Sequence, residues 1–374
     1  MHNHKFHISY LLFPLMLTAC GGHDDALTDE PASQLVPIAI GSAQEADMQE
    51  ATRAGLPLEE VLGGSAAEKN FRVWCYKTMS TDGTSYTQPQ TVMDRYIVQW
   101  KDNTAGTTSS NTADWEYAGI QNNDLNATQE IKYWDMSATS YRFFGFAPGN
   151  RLASETNYTY PASHGDGFVW FDITFPANAT TPEESPYISM MWFSNNSQAN
   201  HTYGDGVTME FMKPVCKVRI KLLRMDGTLI ENPAEEGFSQ LEFQPTGGAP
   251  IVRAGNLKVS YAITGPATSA YYTPSVQVEG DPTGTVQIDK LTSGYDDYYL
   301  VLPHVTQGSY QLVAKIGIDT KIATVPEQYM SWQPNIAYTY VFKLTEDAFR
   351  FIDIVQVAVT EWRTHDEPHD VYNW

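Results

Sequence analysis

From residue 71 onward the apolar residues keep no long helical period. Short alternating or aromatic-rich runs follow one another instead, separated by Gly, Pro, Asn and Asp. This pattern constrains the fold more than any other feature, because a short run of period two reaches a core only as a strand. The clearest case is 336–344, where Ile336, Tyr338, Tyr340, Phe342 and Leu344 share one face. Further candidate strands are 71–76, 92–100, 141–147, 168–175, 207–212, 215–223, 257–263, 298–302 and 310–316. So many short strands between turn residues predict an all-β fold of the sandwich type. A helix is signalled only at 56–69, and Pro57, Gly63 and Gly64 weaken it.

A chain of 374 residues suggests about two domains. The polar stretch 194–206, with Asn195, Asn196, Asn200, Gly204 and Gly206, is the best boundary. It predicts one sandwich over 54–203 and a second over 204–374. An apolar fraction of 42% with 13% aromatics is enough to fill two cores. Against 44 acidic residues stand 23 basic ones, a net charge of 23 − 44 = −21. Such a chain repels phosphate backbones, which argues against nucleic acid as a partner. Three cysteines are too few for a disulfide scaffold.

The N-terminus reads as an address. Residues 1–19 form a signal peptide: Lys5, then an apolar stretch from Tyr10 to Leu17, too short to span a bilayer. It ends in Leu17-Thr18-Ala19-Cys20, which resembles a bacterial lipobox, so Cys20 is the expected acylation site. Several acyl chains give firm anchoring, at roughly 0.8 kcal/mol per buried CH₂. An ordinary secretory signal is the alternative. Residues 20–53 then form an acidic tether with no lysine or arginine before Arg53. Its one apolar segment, 35–40, carries Leu35, Val36, Ile38 and Ile40 around Pro37, which confines it to an edge or an irregular pairing. Arg53-Ala54 is either an incidental bond or the end of a removable propeptide, which would leave 374 − 53 = 321 residues.

The C-terminal segment 351–362 is β-branched and apolar on both sides: Ile352, Ile354 and Trp362 on one, Phe351, Val355, Val357 and Val359 on the other. A strand of this kind expects burial on both faces. It can close its own sheet or reach into a neighbour's. Nucleophile elbows, HExxH, phosphate-binding loops and paired-cysteine sites are absent from the sequence. His365 and His369 in the tail flank Pro368 and do not share a helical face. The reading is a non-enzymatic protein with no cofactor and no metal centre. Cys75 and Cys216 fall on apolar strand faces in different halves and read as two separate buried thiols. Trp100, Trp115, Trp134, Trp170, Trp192 and Trp332 could stack on sugar rings, but they lie within strand-like runs, where core positions are expected.

Taken in order, several motifs resemble the fimbrillin family, the lipoprotein-derived type V pilins. They are the lipobox at Cys20, Thr52-Arg53-Ala54, the strand Val92-Met93-Asp94-Arg95-Tyr96-Ile97-Val98-Gln99-Trp100, and Trp115-x-Tyr117. Tyr133-Trp134, Tyr141-Arg142-Phe143-Phe144-Gly145-Phe146-Ala147-Pro148, Val207-Thr208-Met209-Glu210-Phe211 and the run from Trp332 to Leu344 follow. The resemblance implies two transthyretin-like β-sandwich domains in tandem. It implies export as a lipoprotein to the outer membrane and cell surface, and cutting at Arg53-Ala54 by an arginine-specific protease. It further implies loss of the strand holding Leu35, Val36, Ile38 and Ile40. A neighbouring subunit's strand then fills the groove, here one carrying Ile352, Ile354, Val355, Val357, Val359 and Trp362. The implied partners are other fimbrial subunits, and the implied role is adhesion or biofilm formation. The alternative is a surface lipoprotein or tip adhesin that binds glycans or host proteins without polymerising.

Overall fold

Short β-branched and aromatic runs satisfy their backbone groups by pairing with one another. The computed structural model describes residues 35–42, 58–62, 64–79, 89–104, 106–110, 113–149, 158–159, 168–175, 185–197, 200–247, 251–265, 267–286, 291, 299–305, 309–346 and 348–358. These are almost wholly strand. Helix is limited to Leu58–Leu62 and the 3-10 turn Glu327–Tyr329 among the described residues. The weak signal at 56–69 thus becomes a single turn and a half, ended at Gly64, whose φ is +73°. No helix among the described residues is long and apolar enough to cross a membrane.

The largest sheet runs Trp115–Glu116, Gln90–Trp100, Asn70–Thr78, Ser140–Ala147, Tyr187–Ser189, Phe211–Met212, with Met191–Ser194 also paired to Ser140–Ala147. It is apolar on both faces. Trp74, Tyr76, Phe144 and Phe146 enter one core, while Phe71, Val73, Cys75, Tyr141 and Phe143 enter another. Burial on both sides is why these two strands read as continuous apolar runs rather than clean alternations. The first face is covered by the sheet Ser275–Val286, Ile251–Ala262, Phe168–Phe175, Tyr158–Thr159. Val169, Ile173, Leu257, Val259 and Tyr261 fill the space between, and Phe144 stacks on Tyr261 at 4.4 Å. Ile251–Ala262 pairs along the whole of Phe168–Phe175, from Gly255 opposite Phe175 to Ala262 opposite Phe168. A strand from beyond residue 204 therefore completes a sheet with one from before it.

A second sandwich uses later residues alone. The sheet Tyr299–Val301, Cys216–Leu223, Ile336–Leu344, Phe349–Ala358 faces Phe238–Pro245, Tyr310–Ile316, Asp319–Val325. Its core holds Ile220, Leu222, Phe243, Leu312, Tyr340 and Phe342. The buried polar atoms here are satisfied in a chain: Trp332 Nε1 donates to the Tyr340 hydroxyl at 2.8 Å, which donates to the Tyr329 carbonyl at 2.8 Å.

Each of the ten candidate strands from residue 71 onward overlaps an observed one. Three of the longer strands outside those ten have weaker signals. Phe238–Pro245 carries a register shift between Phe238 and Gln240 that breaks its alternation. Ser275–Val286 contains Gly280-Asp281-Pro282, which reads as a turn until its long pairing with Ile251–Ala262 is known. Asp319–Val325 is an edge strand with mixed exposure. Among the tryptophans whose side chains are described, Trp115, Trp134, Trp192 and Trp332 are buried and Trp100 is partly buried, so none of these offers an open ring to a sugar, while the Trp170 side chain lies outside what is described. Cys75 and Cys216 are free thiols in different cores, and burial pushes both pKa values up.

Candidate functional site: the seat of the N-terminal strand

The second face of the large sheet is closed in part by residues 36–42. Ile38 and Ile40 have no exposed surface. They pack in one cluster with Phe71, Val98, Tyr117, Phe143, Val207 and Met209. Burying two such side chains contributes roughly 1.5–3 kcal/mol each. Val36 is half-buried, and Leu35 is exposed.

Two chain segments flank this one. On one side, Pro37 forms an antiparallel bridge with Tyr133. Ile38 N donates to the Lys132 carbonyl at 2.7 Å, and Trp134 N donates to the Val36 carbonyl at 2.9 Å. Those bonds flank Pro37, so the proline occupies the non-hydrogen-bonded position, where its missing N–H costs nothing. On the other side the pairing is parallel: Ile40, Gly41 and Ser42 lie opposite Val207, Thr208 and Met209. Val207 N donates to the Ala39 carbonyl at 2.8 Å. The irregular pairing expected from Pro37 is thus one bridge followed by a three-residue ladder.

Both flanks are held from behind. The Trp134 ring meets Tyr141 edge-on at 4.7 Å and stacks on Tyr203 at 5.3 Å. Lys77 Nζ donates to the Asp135 carboxylate at 2.6 Å, and Asp135 N donates to the Tyr141 hydroxyl at 2.6 Å. The bonds from Lys77 and then Ser137 hold the Asp135 carboxyl below its ordinary value, at about 2. Opposite, the Tyr271 hydroxyl donates to the Thr208 carbonyl at 3.1 Å. Met209 settles over Gly145, where a Cβ would lie 2.7 Å from the Arg72 carbonyl oxygen and 3.2 Å from Met209 Cε. A glycine at 145 is therefore what lets this flank approach the sheet.

Tyr117 reaches the strand from below. Its buried hydroxyl donates to the Ile38 carbonyl at 2.8 Å and accepts from Lys132 N at 3.0 Å. The loop carrying it is fixed by two buried polar side chains. The Glu116 carboxylate accepts from the backbone of Tyr117, Ala118 and Ser110. Gln129 Nε2 donates to the Tyr117 carbonyl at 2.8 Å and the Ile97 carbonyl at 2.9 Å.

Of the residues singled out from sequence, Val36, Ile38 and Ile40 share this seat. Cys20, Arg53, Ala54, Val359 and Trp362 lie outside the described residues, as do His365 and His369. The C-terminal strand is elsewhere. Phe349–Ala358 pairs antiparallel with Ile336–Leu344, with Tyr340 opposite Ile354, Thr339 opposite Val355 and Ala337 opposite Val357. Phe349 is buried, Phe351 is half-buried against the second core, and Ile352 is 44% exposed. The ladder shifts register between Val341 and Phe342, opposite Asp353 and Phe351, so strict alternation does not run through Ile352. Tyr117, Lys132 and the Val207–Met209 flank were not singled out as site residues. Tyr117 and Val207–Met209 were marked only by their place in the Trp115-x-Tyr117 and Val207–Phe211 motifs, and nothing in the sequence marked Lys132. Among the described residues no group of His, Cys, Asp or Glu is arranged to hold a metal ion.

A profile described as fimbrillin-like matches residues 84–362. The chain belongs to the fimbrillin-like family. Fimbrillins are structural proteins of the cell surface, not enzymes. Solved structures similar to this fimbrillin-like protein include a candidate cell adhesion protein from Bacteroides uniformis, at 11% identity and a TM-score of 0.42, covering 86% of this chain and 97% of that one. A candidate cell adhesion protein from Bacteroides ovatus matches at 11% identity and 0.40, covering 89% and 99%. A fimbrial assembly protein from Parabacteroides distasonis matches at 11% and 0.30, covering 79% and 94%. No curated protein matches the fimbrillin-like chain.

Proposed function

We propose that this fimbrillin-like protein is a structural subunit of a surface fimbria whose N-terminal strand is a temporary filler. The chain is exported as a lipoprotein acylated at Cys20 and reaches the outer membrane. An arginine-specific protease cuts between Arg53 and Ala54. Residues 36–42 leave with the propeptide, and a strand from a neighbouring fimbrial subunit takes their place. The segment carrying Ile352, Ile354, Val355, Val357, Val359 and Trp362 is the proposed donor. Tandem transthyretin-like domains are part of the same reading, with the boundary expected at 203/204 crossed by Ile251–Ala262, which completes the first sandwich. Adhesion and biofilm formation follow from the fibre.

The observation that carries this is the burial of Ile38 and Ile40 in a core whose other members lie beyond Arg53. A strand cut from such a seat leaves an apolar groove beside unpaired backbone groups, which is the template for strand addition. The test is N-terminal sequencing of subunits sheared from cells, with Arg53→Ala alongside. The expected fibre-borne chain starts at Ala54, and Arg53→Ala stays monomeric. Fibres whose subunits retain residues 36–42 would refute the proposal.

A second reading has its own support. Phe349–Ala358 is already paired within its own sheet. A protein that keeps both terminal strands would be a non-polymerising surface lipoprotein or a tip adhesin.

A further inference from the structure

Five polar groups meet where Ile38 crosses the loop of Tyr117. Ile38 N bonds the Lys132 carbonyl at 2.7 Å, and Lys132 N bonds the Tyr117 hydroxyl at 3.0 Å. The Tyr117 hydroxyl bonds the Ile38 carbonyl at 2.8 Å and stands 3.4 Å from the Lys132 carbonyl. Removing Ile38 takes the acceptor from the Tyr117 O–H and a donor from the Lys132 carbonyl at once. The two groups left over are already within reach of each other.

We propose that the Tyr117 hydroxyl is the register latch of this groove, and that its hydrogen bond passes from the Ile38 carbonyl to the Lys132 carbonyl when the strand departs. The proposal rests on the reading of residues 36–42 as removable. The swap keeps the Tyr117 O–H on a protein acceptor after the strand departs. Burial pushes the Tyr117 pKa well up, so the hydroxyl keeps the proton it must donate. The latch also specifies what fits. The partner is an extended peptide strand that offers a backbone carbonyl to Tyr117, carries large apolar side chains at that residue and two residues on, and runs parallel to Val207–Met209. It needs no N–H at the position before, which Pro37 fills.

The test has two arms. In the uncut precursor, amide exchange at Lys132 is compared between the wild type and Tyr117→Phe, with circular dichroism to establish that both fold. The latch predicts exchange about tenfold faster at Lys132 in the variant, and an unchanged rate overturns it. In precursor cut after Arg53, a labelled synthetic peptide of residues 35–42 is exchanged into the groove. It is compared with the same peptide carrying an ester in place of the Ile38–Ala39 amide, whose carbonyl is a poorer acceptor. The ester is expected to weaken binding to the wild type about tenfold more than binding to Tyr117→Phe. Equal penalties in both proteins overturn the swap. If Tyr117→Phe does not fold, the wild type alone decides: the ester at Ile38–Ala39 must cost more than the same ester at Leu35–Val36. A cut protein that never releases residues 36–42 sinks the removable-strand reading and the swap, while exchange at Lys132 still judges the latch.

Discussion

Ser42 ends the seated strand as a buried residue at 9% exposure, and its hydroxyl finds no hydrogen-bond partner among the described residues. A buried unpaired hydroxyl destabilises, so Ser42→Ala is expected to raise the stability of the uncut precursor by about 1 kcal/mol. Thermal melting checks this, and a lowered melting temperature would contradict it. Asp135 gives a pH prediction. Its carboxyl is held at about 2, against 3.8 ordinarily, chiefly by the bond from Lys77. A carboxyl depressed in the folded state stabilises it above pH 3.8, and that stability is lost as pH falls from there through about 2. The side chain is 32% exposed, so solvent screening keeps the effect below about 1 kcal/mol. Asp135→Asn is therefore expected to melt slightly lower than the wild type at neutral pH. The gap should close between pH 4 and 2, and a gap that persists at pH 2 would rule this out.

At the scale of elements, the two terminal strands differ in how they are held. Residues 36–42 are seated by a few bonds and two isoleucines. Phe349–Ala358 shares a long ladder and brings Phe349 against Phe238 at 5.6 Å and Phe351 against Phe342 at 5.8 Å. Truncation after Glu346 removes both rings, which costs roughly 3–5 kcal/mol for the buried phenylalanine alone. Truncation after Phe351 keeps both. The shorter chain is expected to lose its cooperative melt, and the longer to stay folded and fail to enter fibres. A chain ending at Phe351 that still polymerises would exclude residues 352–362 as the donor. The apolar character of both termini was legible in the sequence. That one occupies a groove between distant flanks and the other an edge was not, because apolar alternation specifies burial but not the partner.

At the scale of the molecule, the sandwich built on the large sheet draws a strand from each side of the polar stretch 194–206. Ile251–Ala262 lies along Phe168–Phe175, and their shared core includes Trp74 and Phe144 with Leu257 and Tyr261. Fragments 54–203 and 204–374 are therefore expected to be poorly soluble when expressed apart and to recover solubility when co-expressed. Without its partner, the face of Leu257, Val259 and Tyr261 is open to water. Soluble, independently melting fragments would show that this pairing is dispensable.

The sequence by itself determined the all-β class, the position of each candidate strand from residue 71 onward, the burial of Trp115, Trp134, Trp192 and Trp332, and the apolar nature of both terminal segments. All of these depend on neighbours one or two residues away, where alternation and turn residues act directly. The tertiary structure alone decided which strands pair. Tyr117, Lys132 and Val207 converge on Ile38 and Ala39 from separations of 79 residues and more. No local pattern encodes that meeting. It is set by which apolar faces exclude water together and by which backbone groups, once buried, can find partners.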